Sequence, residues 1–224
     1  MNYEQCRCTG VREKDGTVDG LTTRFPGCSA AILAGGKSTR MGTNKALLEV
    51  GGGAMLGRTA ELLRPLVGEL FLVADDAAPY AGLGLPVIPD VHTGRGAVGG
   101  IHAALEHAAL PFVLCVGCDM PFIGRSVVEL LLGSARPGDD ALLPRIGGYP
   151  EPLLAVYSRS ARAGFVRAIR AGRLRVVDAL EGLRVRFIEE RELRVADVAL
   201  RSFVNVNTPE DLAAARVADA HEAP

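Results

Sequence analysis

Apolar residues in this chain gather into short runs set between glycine- and proline-rich stretches. The run at 112–116 is unbroken, as a strand of a parallel sheet covered on both faces must be. Residues 69–74 have the same look, and 85–89 form a shorter candidate ending at Asp90. An earlier run, from Ala30, leads straight into Gly35 and Gly36 and predicts a strand that opens into a loop. Between these strands the apolar spacing becomes helical. Met55, Leu56, Leu62 and Leu63 predict a helix over 54–64, with Pro65 against its continuation. Gly94, Gly96, Gly99 and Gly100 punctuate a loop before 101–109, which is helical by composition, and 124–132 predicts another helix. The alternation is the mark of an α/β, doubly wound, mainly parallel Rossmann-like sheet with helices on both faces.

Beyond Gly133 the rhythm changes. Residues 141–144 and 153–157 read as extended segments joined by a glycine and proline turn, a small antiparallel excursion and a place for a substrate-covering flap. Ser158 is placed to cap a helix running to Arg170, 173–180 predicts a short helix, and 184–188 and 203–207 predict strands. Thr208, Pro209 and Asp211 form an acidic N-cap pattern for a last helix. Residues 47–50 make a short extended piece closed by Gly51, Gly52 and Gly53.

Composition narrows the partners. With 224 residues and 48% hydrophobic content the chain can bury a sizeable core. The expected organisation is a flexible leader over 1–28, a single domain over 29–218 and a tail over 219–224. The 25 basic residues nearly balance the 26 acidic ones, so no global field draws it to nucleic acid or to an anionic membrane. Any anion must be held locally. Its longest apolar runs fall far short of the ~20 residues needed to cross a bilayer, and residues 1–27 lack the apolar core of a secretory signal. Five cysteines, at 6, 8, 28, 115 and 118, are an odd count, which points to a reducing compartment and hence the cytoplasm. Cys115 and Cys118 could join Cys6 and Cys8 around zinc, but the plainer reading is small buried thiols.

The candidate chemistry lies in the loops. Gly35 and Gly36 let backbone N–H groups approach an anion, with Lys37, Arg40 and Lys45 supplying positive charge. A P-loop is excluded because Ala31 stands where its first glycine is required, and the G-x-G-x-x-G pattern is absent. Asp119 follows the most apolar strand, where open parallel sheets hold ligands at their carboxyl edge, and its carboxylate suits magnesium shared with substrate phosphates. An N-cap for the next helix is the alternative. Asp90 is placed either to accept the two N–H groups on one edge of guanine or to shape a turn. Asn205 and Asn207 alternate along the expected last strand and can reach the metal or a phosphate, so Asn207 joins Asp119 as a candidate metal ligand. Arg173 and Arg175 are either a solvated pair or contacts for a second anion. The four histidines have no ligand spacing.

Leu33, Ala34, Gly35, Gly36, Ser38, Arg40, Met41, Gly42 and Lys45 form one motif, and Cys118, Asp119, Met120 and Pro121 a second. With Glu151, Pro152 and Leu153, and then the run from Asn205 to Glu210, they resemble the molybdenum cofactor guanylyltransferase family over about residues 29–217. The first motif is common to many nucleotidyltransferases, and the last two point to the guanylyl branch. The resemblance implies that Leu33, Ala34, Gly35, Gly36 and Lys45 hold GTP, that Asp90 also contacts it, and that Asp119 binds Mg2+ and nucleotide. It also implies transfer of GMP to molybdenum-bearing molybdopterin, with Arg40, Lys45 and Asp119 as the catalytic set and pyrophosphate as leaving group. Possible protein partners are cofactor-insertion proteins or apo-molybdoenzymes. In one departure, an asparagine after the second strand that helps bind nucleotide is replaced by Val73 or Ala74, with Asp75 next. The rival readings are a cytidylyl- or adenylyltransferase on a related cofactor or sugar phosphate, and a nucleotide-binding adaptor that delivers cofactor without turnover.

Overall fold

The computed structural model describes residues 10–14, 21–35, 48–50 and 53–220. β1 (Val11–Lys14) runs antiparallel to the first part of β2 (Leu21–Leu33). β3 (Glu49–Val50) and β4 (Gly53–Ala54) pair with each other ahead of α1 (Met55–Leu63). β5 (Val67–Val73), β6 (Val87–Ile88), α2 (Gly96–His107), β7 (Phe112–Gly117) and α3 (Arg125–Ser134) follow. Next come β8 (Ala141–Ile146), β9 (Tyr149–Pro150), β10 (Leu154–Ser158), α4 (Arg162–Arg170) and α5 (Val176–Ala179). The chain closes with β11 (Val185–Glu189), α6 (Glu190–Ala196) and α7 (Pro209–Ala220).

The central sheet has the order β11-β8-β10-β7-β2-β5-β6. β2 is parallel to both β5 and β7, and β11 to β8, while β10 alone in this order runs antiparallel to its two neighbours. Every residue of β7 is buried because successive side chains feed two cores. Leu114 and Val116 join Ile32, Leu56, Leu63, Leu131 and Leu193 under α1, α3 and α6. Val113 and Cys115 join Leu33, Phe71, Ile101 and Phe165 under α2, α4 and α5. This is the doubly wound architecture that the apolar runs predict.

Several details differ from expectation. Part of the stretch expected as a leader is strand, since β1 and the start of β2 lie within 11–28. Helix α7 likewise continues to Ala220, past the expected domain end at 218. The extended segments after Gly133 are no flap, because β10 is inserted between β7 and β8 in the sheet. Only a turn at Gly147 and Gly148, both at positive φ, projects beyond β8 and β9. Helix α2 begins at Gly96, five residues before its predicted start, so Gly99 and Gly100 are helical. Residues 204–207 form no strand and follow a 3-10 turn at Arg201–Phe203. Cys28 is buried and disulfide-bonded, where a thiol was expected. The capping box of α7 is present as predicted: Asp211 N–H donates to Thr208 Oγ1 at 3.1 Å, and Thr208 N–H to Asp211 Oδ2 at 2.9 Å.

Candidate active site

The carboxyl ends of β2, β5, β6 and β7 lie side by side, and a cleft of about 750 Å³ opens over them. Leu33 and Gly35 enter it from β2, Val73 and Asp75 from β5, Asp90 from beyond β6, and Gly117, Cys118 and Asp119 from β7. Backbone hydrogen bonds hold these strand ends in register beyond the ladders. Ala34 N–H donates to Val73 O at 2.9 Å, Ala74 N–H to Ile88 O at 3.0 Å, and Cys118 N–H to Leu33 O at 3.2 Å. Leu153 closes one wall through its carbonyl, which accepts Gly117 N–H at 2.7 Å. Its own turn is fixed from behind by buried Tyr157, whose Oη donates to Pro152 O at 2.8 Å.

The other wall is the N-terminus of α2, with Gly96, Ala97 and Gly100. Unpaired N–H groups and the positive end of the helix dipole therefore face the cleft. Close approach favours glycine at one of these positions: a Cβ on Gly99 would stand 2.5 Å from Asp90 Oδ2, whereas one on Gly100 would make ordinary contact with Leu33 Cδ2 at 3.7 Å. Asp90 also makes the turn that was its alternative reading, since its Oδ1 accepts His92 N–H at 2.8 Å. It lines the cleft while shaping the loop.

Asp119 is half-buried at the end of β7, and a Cβ on Gly117 would meet its Oδ1 at 2.7 Å. The N-cap of α3 is Gly124, so the capping alternative for Asp119 fails. Its carbonyl accepts Val206 N–H at 2.8 Å, which docks the 204–207 segment onto the end of β7. Val206 is buried and Asn207 beside it is exposed. Asn205 Nδ2 donates to Phe203 O at 3.4 Å, and Asn207 N–H to Asp211 Oδ2 at 2.9 Å. The two asparagines thus flank the docked Val206 in irregular backbone in place of the expected strand, and neither is among the described residues that line the cleft.

The structure brings Leu33, Gly35, Asp90 and Asp119 to one cleft, with Ala34 between the first two. Gly36, Lys37, Arg40 and Lys45 lie outside the described residues. Sequence reasoning missed Asp75 as a lining carboxylate and the N-terminus of α2 as a wall. The glycines at 96, 99 and 100 were the available signal for the latter. Cys115 is fully buried, which pushes its thiol up, and Cys6 and Cys8 of the zinc alternative lie outside the described residues. Nor is any helix among them long and apolar enough to cross a membrane. Arg173 pairs with Glu181 at 2.5 Å.

A doubly wound sheet with a glycine-walled, carboxylate-bearing cleft across its carboxyl edge defines a nucleotide-binding α/β protein of the Rossmann-like class. Residues 30–190 match the MobA-like NTP transferase domain, and the chain belongs to that family and is a nucleotidyltransferase. It is 42% identical over 190 residues to the probable molybdenum cofactor guanylyltransferase of Pelotomaculum thermopropionicum, covering 84% of this chain and 92% of the relative. It is 35% identical over 188 residues to the molybdenum cofactor guanylyltransferase of Desulfosudis oleivorans, covering 84% and 93%. Among solved structures, molybdopterin-guanine dinucleotide biosynthesis protein A from Archaeoglobus fulgidus superposes with a TM-score of 0.76 at 34% identity, covering 86% of this chain and 99% of that one.

Proposed function

We propose that this enzyme transfers GMP from GTP to the terminal phosphate of molybdenum-bearing molybdopterin. A phosphate oxygen of the acceptor forms a bond to the α-phosphorus as the bond from that phosphorus to the bridging oxygen breaks. Pyrophosphate leaves with the electron pair. The observation that carries the reading is the convergence of Asp90, Asp119 and the N-terminus of α2 on one cleft in a chain whose relatives are named guanylyltransferases.

The attacking group is already an anion, so positioning and charge neutralisation matter more than a strong base. In this reading Leu33, Ala34, Gly35 and Gly36 pass the nucleotide along their backbone, Asp90 accepts from the guanine edge, and Arg40 and Lys45 neutralise the phosphates. The donor set suits magnesium. Asp119 offers a half-exposed carboxylate, its main-chain carbonyl accepts Val206 N–H from the segment bearing Asn207, and the Asp119 and Asn207 side chains both carry hard oxygen atoms. Bound there with the substrate phosphates, the ion would supply positive charge where negative charge develops. A cytoplasmic setting belongs to the same proposal, because GTP is held there.

Thermal shifts with GTP, CTP and ATP in the presence of magnesium test the base preference. GTP is expected to raise stability most, since a ligand at ~100 times its Kd adds about 2.7 kcal/mol. A larger shift with CTP or ATP would favour the rival transferases, and GTP binding without pyrophosphate release in the presence of the pterin would favour the adaptor.

A further inference from the structure

A second cavity, of about 600 Å³, opens on the α1 side of the sheet between α1, the turn after Asp119 and the 201–203 turn. It falls within the ~300–1,000 Å³ usual for small-molecule sites. Arg58, Glu61, Phe122, Asp197 and Arg201 are among its lining. Its central feature is a cation–π contact, the guanidinium carbon of Arg201 lying over the Phe122 ring 4.6 Å from its centroid.

The turn that carries Arg201 is held by hydrogen bonds on both sides. Asp197 Oδ2 accepts Ser202 N–H at 2.7 Å and its main-chain carbonyl accepts Leu200 N–H at 3.0 Å; burial raises its carboxyl, but hydrogen bonding from Ser202 and the turn outweighs this and keeps it below the usual range. Ser202 is fully buried, and its Oγ accepts Gly124 N–H at 2.9 Å, locking the turn to the start of α3. Leu200 has φ 54°, the only non-glycine residue at positive φ among the described residues. A branched side chain is held in that conformation only where surrounding contacts over-determine it. What these contacts fix is the position of Arg201.

Both sides of the contact lead back to Asp119. Phe122 lies three residues beyond it, a reach of at most about 11 Å. From Arg201 the chain runs to Val206, whose N–H donates to Asp119 O at 2.8 Å. We propose that this cavity is the acceptor subsite. The aminopyrimidinone ring system of the pterin lies on the outer face of the Arg201 guanidinium, its N–H edge toward Glu61 at the rim and its phosphate directed toward Asp119. Guanidinium planes stack on flat heteroaromatics, and a carboxylate matches the paired N–H groups of that edge. This assignment rests on the guanylyltransferase reading above. It deepens that reading by giving nucleotide and acceptor separate cavities with Asp119 between them.

The test measures molybdopterin binding by anaerobic equilibrium ultrafiltration and GTP binding by calorimetry, for the wild type, Arg201→Gln and Glu61→Gln. Arg136→Gln serves as a charge-matched control at the opposite end of the sheet. Each cavity variant is expected to bind the pterin at least about 10-fold more weakly, the loss of one charge-assisted contact, with GTP affinity within about 2-fold of wild type. The control should change neither. Should Arg201→Gln not fold, Glu61→Gln carries the test alone. Wild-type pterin affinity in the folded variants overturns the assignment. A wild-type chain that binds the pterin with these sensitivities yet transfers no GMP would support the cavity and contradict the reaction. Transfer with an unchanged pterin KM in Arg201→Gln would support the reaction and overturn the cavity.

Discussion

Gly117→Ala should separate stability from activity. The φ of Gly117 lies outside the left-handed region, so alanine can adopt the backbone. Its Cβ would stand 2.7 Å from Asp119 Oδ1 and 3.5 Å from Leu153 Cβ. Relaxing the first contact to ordinary van der Waals distance moves the carboxylate by about 0.8 Å, which rotation about χ1 can supply. The cost to folding is of order 0.5–1.5 kcal/mol for an off-rotamer side chain, offset by about 0.4–1 kcal/mol from the stiffer unfolded chain. Net stability should therefore stay within about 1 kcal/mol of wild type. A catalytic group misplaced by ~1 Å can cost about 10²-fold in rate, so turnover should fall by that order. Thermal melting and GTP-dependent pyrophosphate release, measured on the same preparation, read the two effects. Wild-type turnover from the variant would refute the reasoning, because Asp119 would then have moved without consequence.

Two further outcomes are expected. Asp140 is buried, which raises its carboxyl, but hydrogen bonds from the side chain and backbone N–H of Arg184 and from Ser160 Oγ outweigh this and hold it at about 2, against an ordinary 3.8. A depressed folded value stabilises above the unfolded one and is lost as pH falls through it. Asp140→Asn should thus cost up to about 2 kcal/mol at pH 7 in urea denaturation, with the deficit vanishing between about pH 4 and 2. For Asp90→Ala, the preference for GTP over ITP, which lacks the exocyclic amine, should shrink by about 10-fold in calorimetric titrations, the order of one charge-assisted hydrogen bond. An unchanged ratio would remove Asp90 from base recognition.

The layering was legible because it depends on burial of consecutive residues, and β7 at 112–117 shows why: only a strand covered on both faces can be apolar throughout. The place of Asp119 in the cleft was legible because a doubly wound sheet gathers ligands at its carboxyl edge, whereas Asp75 beside it was missed. Elsewhere tertiary contact overrode local pattern. Gly99 and Gly100 weaken a helix in isolation, yet α2 contains them, and at Gly99 the carboxylate of Asp90 occupies the space a side chain would take. The alternation at 203–207 suggested a strand, but only Val206 of 204–207 is buried, and its N–H serves Asp119 rather than a ladder. That β10 lies between β7 and β8, rather than outside them, is a long-range choice that no local signal encodes. The neighbours of Arg201 were hidden for the same reason, since Phe122 and Arg201 meet only after the 201–206 segment folds back to Asp119.

The most direct test of the account is the turnover of Asp119→Asn with GTP, magnesium and molybdenum-bearing molybdopterin, followed by pyrophosphate release on protein shown by thermal melting to be folded. The account predicts a loss of about 10²-fold or more, the scale of removing one electrostatic contact to the developing charge. Turnover close to wild type would contradict it.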